Sequence, residues 1–286
     1  MKLTPIENPT FAYQLHHYLC WQTHRLRQLS SAEQHVLQRE LSRVCQQYDL
    51  HLLKATVQST HLRVLLSLKP EQRISRTVQT LKSLTGRAVG WEHPWARGYL
   101  ARTTGRVKKS AIAEYLRHQE THHEYHRRVR SPVRRFRRKL SVNLSPRHTD
   151  VELNYHVVLS TEWRQGLFDS SLAESLWAYW QRVANKRGFG IDRATILPDH
   201  IHLIVTLHPA QAPAQVVSWL MNNGQYFLGK HYGQAIIHRR MKRVWMPSCY
   251  IGAVGEWSTA QLEAYLRKCG GEVTNPGGEP RSLEGQ

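Results

Sequence analysis

Hydrophobic and polar positions fall into the same order twice along the chain. An alternating segment over residues 13–22, and another over 151–161, each predicts a strand. Behind them, "SSAEQ" (30–34) and "SLAES" (171–175) predict helix starts, with Ser30 and Glu33, then Ser171 and Glu174, at capping-box spacing. A paired-strand block follows in each half, then helical periodicity over 73–89 and 213–231, a short strand, and a last helix over 108–122 or 258–269. The order βαββαβα predicts an α+β fold: two tandem ferredoxin-like units, each with helices on one face of an antiparallel sheet.

The two halves also match residue by residue. "LLKATVQSTHLRVLLSLKP" (52–70) aligns with "IDRATILPDHIHLIVTLHP" (191–209) at a shift of 139, placing His61 on His200 and Pro70 on Pro209. The same shift sets "LHHYLCWQTH" (15–24) against "NYHVVLSTEW" (154–163). "WARGYLARTTGRVKKSAIAEYLRHQ" (95–119) matches "WMPSCYIGAVGEWSTAQLEAYLRKC" (245–269) at a shift of 150, so the second copy carries about 11 extra residues. This is duplication rather than a solenoid, which needs at least three short units. The expected organisation is a first unit over 1–121, a basic linker over 122–148, a second unit over 149–270 and a loose tail over 271–286.

Charge adds a partner to this picture. Lys and Arg number 40 against 21 Asp and Glu, a net charge of +19, and such an excess marks a polyanion because neutralised phosphates release counterions. The linker concentrates it in Arg127, Arg128, Arg130, Arg134, Arg135, Arg137 and Arg138, a run of the kind that contacts nucleic-acid phosphates. No apolar run reaches the ~18 residues of a spanning helix, the first residues lack a signal-peptide core, and four widely spaced cysteines fit neither a zinc knuckle nor a disulfide framework. The expectation is a cytoplasmic protein with reduced thiols and no membrane partner.

The chemistry is concentrated in "LPDHIHLIV". In a strand, residues i and i+2 share a face, so His200 and His202 project side by side. Two imidazoles so placed make half of a divalent metal site, or a hydrogen-bonded pair on a polar sheet face. The stretch resembles the signature of the HUH (His-hydrophobic-His) single-tyrosine transposases of the smallest bacterial insertion sequences, including the REP-associated tyrosine transposases. "VWMPSCYIGAVG" followed by "AQLEAYLRKC" resembles the family's closing strand and tyrosine helix, and the likeness covers nearly all of both copies. It implies metal-dependent cleavage and rejoining of single-stranded or hairpin DNA, with Mg²⁺ or Mn²⁺ as cofactor. It implies a tyrosine nucleophile that forms a 5'-phosphotyrosine, and a Gln four residues later as third metal ligand.

Against that pattern the copies are complementary. The first keeps Tyr115 and Gln119 but has His61 followed by Arg63, and a guanidinium has no lone pair for a metal. The second keeps His200 and His202 but has Cys269 four residues after Tyr265, a poor ligand for a hard cation. Family members work as two-fold dimers whose sites are completed in trans. The resemblance therefore implies a monomeric pseudo-dimer with one composite site, Tyr115, Gln119, His200 and His202, and one degenerate site, His61, Arg63, Tyr265 and Cys269. Arg63 is open to holding a phosphate instead, and Asp199 reads as a support for its neighbour rather than a ligand. Trp177 and Trp180 read as core; Trp91, Trp95 and Trp245 read as core before base-stacking. Two rival classes remain: a non-catalytic protein that binds hairpin DNA or RNA, and a replication-initiator or relaxase nickase, whose usual third histidine is not evident in the sequence.

Overall fold

The structure is a computed structural model that describes residues 3–105, 111, 114, 134–138, 144–145 and 148–255. The first half runs β1 (Thr10–Gln14), β2 (His16–Gln22), α1 (Ser31–Gln47), β3 (His51–Val57), β4 (His61–Ser67), α2 (Ile74–Ala88) and β5 (Leu100–Thr104). The second runs β6 (Arg134–Arg137), β7 (Asp150–Glu152), β8 (Asn154–Thr161), α3 (Ser170–Arg187), β9 (Gly190–Ile196), β10 (His200–Thr206), α4 (Pro213–His231), α5 (Gly233–His238) and β11 (Trp245–Val254). The fold is α+β, with the described strands in two sheets ordered β3-β4-β2-β5-β7 and β1-β11-β8-β10-β9-β6. The last helices expected over 108–122 and 258–269 fall outside the described residues, apart from Ala111 and Glu114.

Local chemistry sets the helices. Ser30 and Glu33 form a reciprocal capping box at the start of α1, whose inner face presents Leu37, Leu41, Val44 and Cys45. At the start of α3 the cap is Asp169, which accepts from the Leu172 backbone, so the helix begins before the expected Ser171. A carboxylate satisfies the same orphan N–H groups and also suits the positive helix end. Pro213 opens α4, where a missing N–H costs nothing. The extra residues of the second copy are largely α5 and its flanking turns.

Each expected first strand is in fact two. At Leu15, fully buried, the chain leaves one sheet and enters the other, and its carbonyl accepts from Leu68; Leu153 and Leu207 repeat this. Thus β1 pairs in parallel with β11 of the other half, and β7 pairs in parallel with β5. Arg102 of β5 fastens the second exchange through the Asp150 carboxylate, at 2.7 Å, and the Asp150 carbonyl, at 2.8 Å. The exchange also corrects the alignment of the opening block by one residue. Thr23 and Thr161 each precede a short 3-10 turn, with Arg25 and Trp163 in the left-handed region at φ 52° and 55°, so the structural shift here is 138.

The halves meet about a pseudo-two-fold axis. Gly105 N–H donates to the Gly255 carbonyl at 3.0 Å, Ser75 N–H to Pro209 at 2.9 Å, and Ala214 N–H to Pro70 at 2.9 Å. Both glycines are required: a Cβ on Gly105 would lie 2.1 Å from the Ala253 carbonyl oxygen, and one on Gly255, at φ +138°, would lie 2.7 Å from that of Thr103. His17 and Tyr155, equivalent at the shift of 138, share a buried 2.9 Å hydrogen bond across the same junction. One apolar cluster runs through both halves under the helices, including Leu19, Trp21, Val64, Val157, Leu203 and Ile251. Trp180 and Trp245 are fully buried in it, and Trp177, Trp91 and Trp95 pack against it. No described helix is long and apolar enough to cross a membrane, and Cys20, Cys45 and Cys249 are buried free thiols.

Two outcomes follow for stability. Gly105→Ala should lower unfolding free energy by more than about 2 kcal/mol in urea, against about 1 kcal/mol for Gly90→Ala, which has a positive φ but open space around it. Equal losses would show that the close approach is not needed. Burial depresses the His17 pKa from 6.5 to about 3, so between those values the unfolded chain binds the extra proton. Stability is full above pH 6.5 and falls on acidification, by up to about 1.4 kcal/mol per pH unit for this group. His17→Gln should flatten the Tm–pH slope between pH 6.5 and 4; an unchanged slope would remove His17 from that role.

Candidate active site

The six-stranded sheet has one face against α3 and α4 and one turned away from them. On the helix side lie Tyr155, Val157, Leu159, Ile201, Leu203 and Ile251, all in the shared core. The period of two then sends His200 and His202 of β10, with His156 and Ser160 of β8 and Tyr250 of β11, to the opposite face. The rings of His200 and His202 stand 5.0 Å apart, edge to face, and both side chains are buried.

Each histidine is fixed through Nδ1. The His200 Nδ1 lies 2.7 Å from Asp199 Oδ1. Asp199 is itself anchored by Arg164, whose Nε lies 2.8 Å from its Oδ2, and its carbonyl accepts from the Thr161 N–H and hydroxyl. A carboxylate can only accept, so the His200 proton sits on Nδ1 and Nε2 carries the lone pair. The His202 Nδ1 lies 3.0 Å from His156 Nε2, with the two rings stacked at 5.2 Å. Burial lowers the His156 pKa to about 4, so its imidazole is neutral and can accept from His202 Nδ1–H. That arrangement leaves the His202 Nε2 lone pair as the second donor. Asp199 thus supports His200, as its position suggests, and His156 joins the cluster, which the residue pattern does not reveal. It sits diagonally across from His202, opposite Ile204, and only the strand register reveals it.

Part of the basic linker joins the second sheet. Arg134–Arg137 forms an edge strand antiparallel to β9, with Phe136 inward and stacked 5.2 Å from Trp177. Arg134 and Arg138 point to the helix side, toward Glu174 at 3.7 Å and Gln181 at 3.1 Å. Arg135 and Arg137 are exposed on the histidine side; Arg135 pairs with Thr195, which pairs with His202. Arg127, Arg128 and Arg130 lie outside the described residues, as do Tyr115, Gln119, Tyr265 and Cys269. Trp163, in the left-handed turn beside Arg164, is 75% exposed. Trp91, Trp95 and Trp245 instead give their ring N–H groups to Glu33, Lys82 and Met221.

The first half carries the same frame with other chemistry. His61 lies opposite Gln22 as His200 lies opposite Ser160. The Asp199 position holds Thr60, whose hydroxyl reaches His61 Nδ1 only at 3.5 Å, and the position of Arg164 holds Leu26. Arg63 replaces His202 and Tyr18 replaces His156. Gln22 Nε2, His61 Nε2 and Arg63 Nε are buried with no hydrogen-bond partner among the described residues. An unmet buried polar group typically costs about 1–3 kcal/mol.

The family described as "Transposase IS200 like" matches this sequence twice, over residues 10–119 and 149–269. The transposase for insertion sequence element IS200 of Salmonella typhimurium is 21% identical over 120 residues, 42% of this chain and 78% of that protein. The ISDra2 transposase TnpA of Deinococcus radiodurans is 25% identical over 115 residues, 40% of this chain and 82% of that protein. A solved chain from Deinococcus radiodurans, assigned to the transposases, is 18% identical with a TM-score of 0.35, covering 46% of this chain and 97% of that one. Two successive matches, one ending past Tyr115 and the other past Tyr265, take in most of the polypeptide, and the chain belongs to the IS200-like transposase family.

Proposed function

We propose that the protein is a metal-dependent transposase that cuts and rejoins single-stranded DNA through a 5'-phosphotyrosine on Tyr115. The reading takes residues 1–121 and 149–270 as two ferredoxin-like units forming an intramolecular pseudo-dimer, with the basic 122–148 segment between them and a tail over 271–286. The strand order β3-β4-β2-β5 in one unit and β9-β10-β8-β11 in the other supports that description. The observation that carries the functional reading is the paired Nδ1 anchoring of His200 and His202, by Asp199 and His156. With protons on both Nδ1 atoms, the two Nε2 atoms carry lone pairs on one sheet face, which fits Mg²⁺ or Mn²⁺ with Gln119 as a further ligand.

Reach permits assembly across the units. Gly105 bonds to Gly255, which follows Gly252, the β11 partner of His156. Five residues back from Gly255, Tyr250 lies level with His202 through Val158, so at ~3.3 Å per residue and ~4.8 Å per strand the junction is on the order of 20 Å from His202. Tyr115 is ten residues beyond Gly105, as Tyr265 is beyond Gly255, and an extended chain of that length, up to about 33–36 Å, spans the gap. When bound, the cation polarises the scissile phosphate and offsets charge on its oxygens. The Tyr115 oxygen forms a bond to phosphorus, the phosphorus–O3' bond breaks, and the strand leaves with a 3'-OH. Arg135 and Arg137 flank the pair as contacts for the DNA backbone, and exposed Trp163 and Tyr250 offer faces on which unpaired bases can stack. The DNA would be a hairpin or short single strand, met in the cytoplasm.

Incubation with labelled hairpin DNA carrying single-stranded flanks, in Mg²⁺ or Mn²⁺, should yield a covalent adduct. Tyr115→Phe should abolish it and Tyr265→Phe should leave it. An adduct that survives Tyr115→Phe would falsify the composite site, and wild-type protein that binds but never forms one would be a binding protein only. His156→Ala, by releasing the His202 ring, should weaken Mn²⁺ binding about 10–100-fold by titration calorimetry; unaltered affinity would show that His156 does not orient the ligand.

A further inference from the structure

We infer that the first half's histidine–arginine face is a metal-free phosphodiester-binding site, which holds the DNA substrate without cutting it. The inference rests on the proposed action on DNA, but its geometry is independent of Tyr115. In the second half Asp199 holds a proton on His200 Nδ1, and His156 can accept from His202 Nδ1. In the first half each of those partners has changed. Thr60 stands where Asp199 would demand a proton on His61 Nδ1, and the Thr60 hydroxyl can donate to that nitrogen instead. The His61 proton then sits on Nε2, which makes it a donor. Arg63 can only donate. Gln22, directly across from His61, adds an amide N–H₂ on the same face.

With that proton on Nε2, three buried donor atoms, Gln22 Nε2, His61 Nε2 and Arg63 Nε, lie on one face of the adjacent strands β2 and β4 with no hydrogen-bond partner among the described residues. Gln22 is 2% exposed and His61 6% exposed, while Arg63 is only partly buried and so reaches the surface. A cation is excluded by such a set. An oxyanion with several acceptor oxygens satisfies it, and a guanidinium beside N–H donors is the usual way to grip a phosphate. The +19 charge of the chain favours a polyanionic source, and a phosphodiester of single-stranded DNA fits the partner of the opposite site.

The test measures binding of a fluorescein-labelled DNA hairpin with single-stranded flanks to the full chain in EDTA, across a salt series. Arg63→Ala and Arg63→Gln, each checked for an unchanged circular dichroism spectrum, should weaken metal-free binding about 5–10-fold. They should also flatten the log K–log salt slope by about 0.7–0.9, one phosphate's worth. If Arg63→Ala does not fold, Arg63→Gln, which keeps the size and an N–H₂ but loses the charge, gives the same slope readout. Wild-type affinity and slope in the variants, or a defect seen only when Mg²⁺ is added, overturns the inference. The wild-type covalent adduct is scored separately. Its absence defeats the catalytic reading and leaves the metal-free binding result standing, while its presence with unaltered Arg63 variants defeats this inference alone.

Discussion

The relation between the halves depends on a backbone-to-backbone approach that only glycine permits. Gly105 and Gly255 meet where the last described strands of the two halves, β5 and β11, come together, and each lies against a carbonyl of the opposite strand. The crossed pairings of β1 with β11 and β7 with β5 can form only if these strand ends are that close. The shared core and the Ser75–Pro209 and Ala214–Pro70 bonds then hold the two sheets in one orientation. Such contacts are main-chain and apolar, so they fix geometry while leaving the opposite face of each sheet free to change its side chains.

Those faces have diverged in a coordinated way. In the second half an accepting carboxylate holds the proton on His200 Nδ1, and a neutral histidine can accept from His202 Nδ1 in the same way. In the first half a hydroxyl, an arginine and a glutamine occupy the matching places, and the cluster becomes one of hydrogen donors. The change is not confined to the position that would touch a ligand: Leu26, Thr60 and Tyr18 have replaced Arg164, Asp199 and His156 as well. Loss of the orienting residues together with the ligand is what physical dependence between them predicts, since a pinned imidazole without a ligand to present gains nothing from its partners.

Much of this was legible in the sequence because it depends on local period. The i, i+2 spacing put His200 and His202 on one face, and Ser30 with Glu33 marked the start of α1. Non-local facts were not legible. His156 joins the site because β8 pairs with β10 in one register, and a one-residue slip would bury it among the helices. The same sensitivity explains the opening block, aligned at 139 from sequence and 138 in space: similar apolar alternation tolerates either, and the left-handed turns at Arg25 and Trp163 decide. The crossing at Leu15 leaves no mark in the hydrophobic pattern, because both sheets call for the same alternation. Asp169 was passed over as a cap in favour of Ser171, since both residue types serve. The arginine run reads as a phosphate-contacting linker, and its Arg-Phe-Arg alternation becomes a strand because β9 offers an open edge.

Fusion into one chain gives these differences their physical sense. Two separate subunits share a site only as often as they meet, and each must keep a working copy of every residue because either can face either. A covalent tether sets the effective concentration of one half for the other on the mM scale or above, independent of protein concentration. The pseudo-two-fold contacts then define which half faces which. Under that condition the proposed composite site would draw Tyr115 and Gln119 from one half and His200 and His202 from the other, and the reciprocal set would be released from catalysis. Arg63 could not be accommodated in an exchangeable dimer without placing a cation in every metal site. In the tandem chain it occupies one face only, where a guanidinium beside Gln22 and His61 suits an anion and leaves the anchored histidines of the other half untouched.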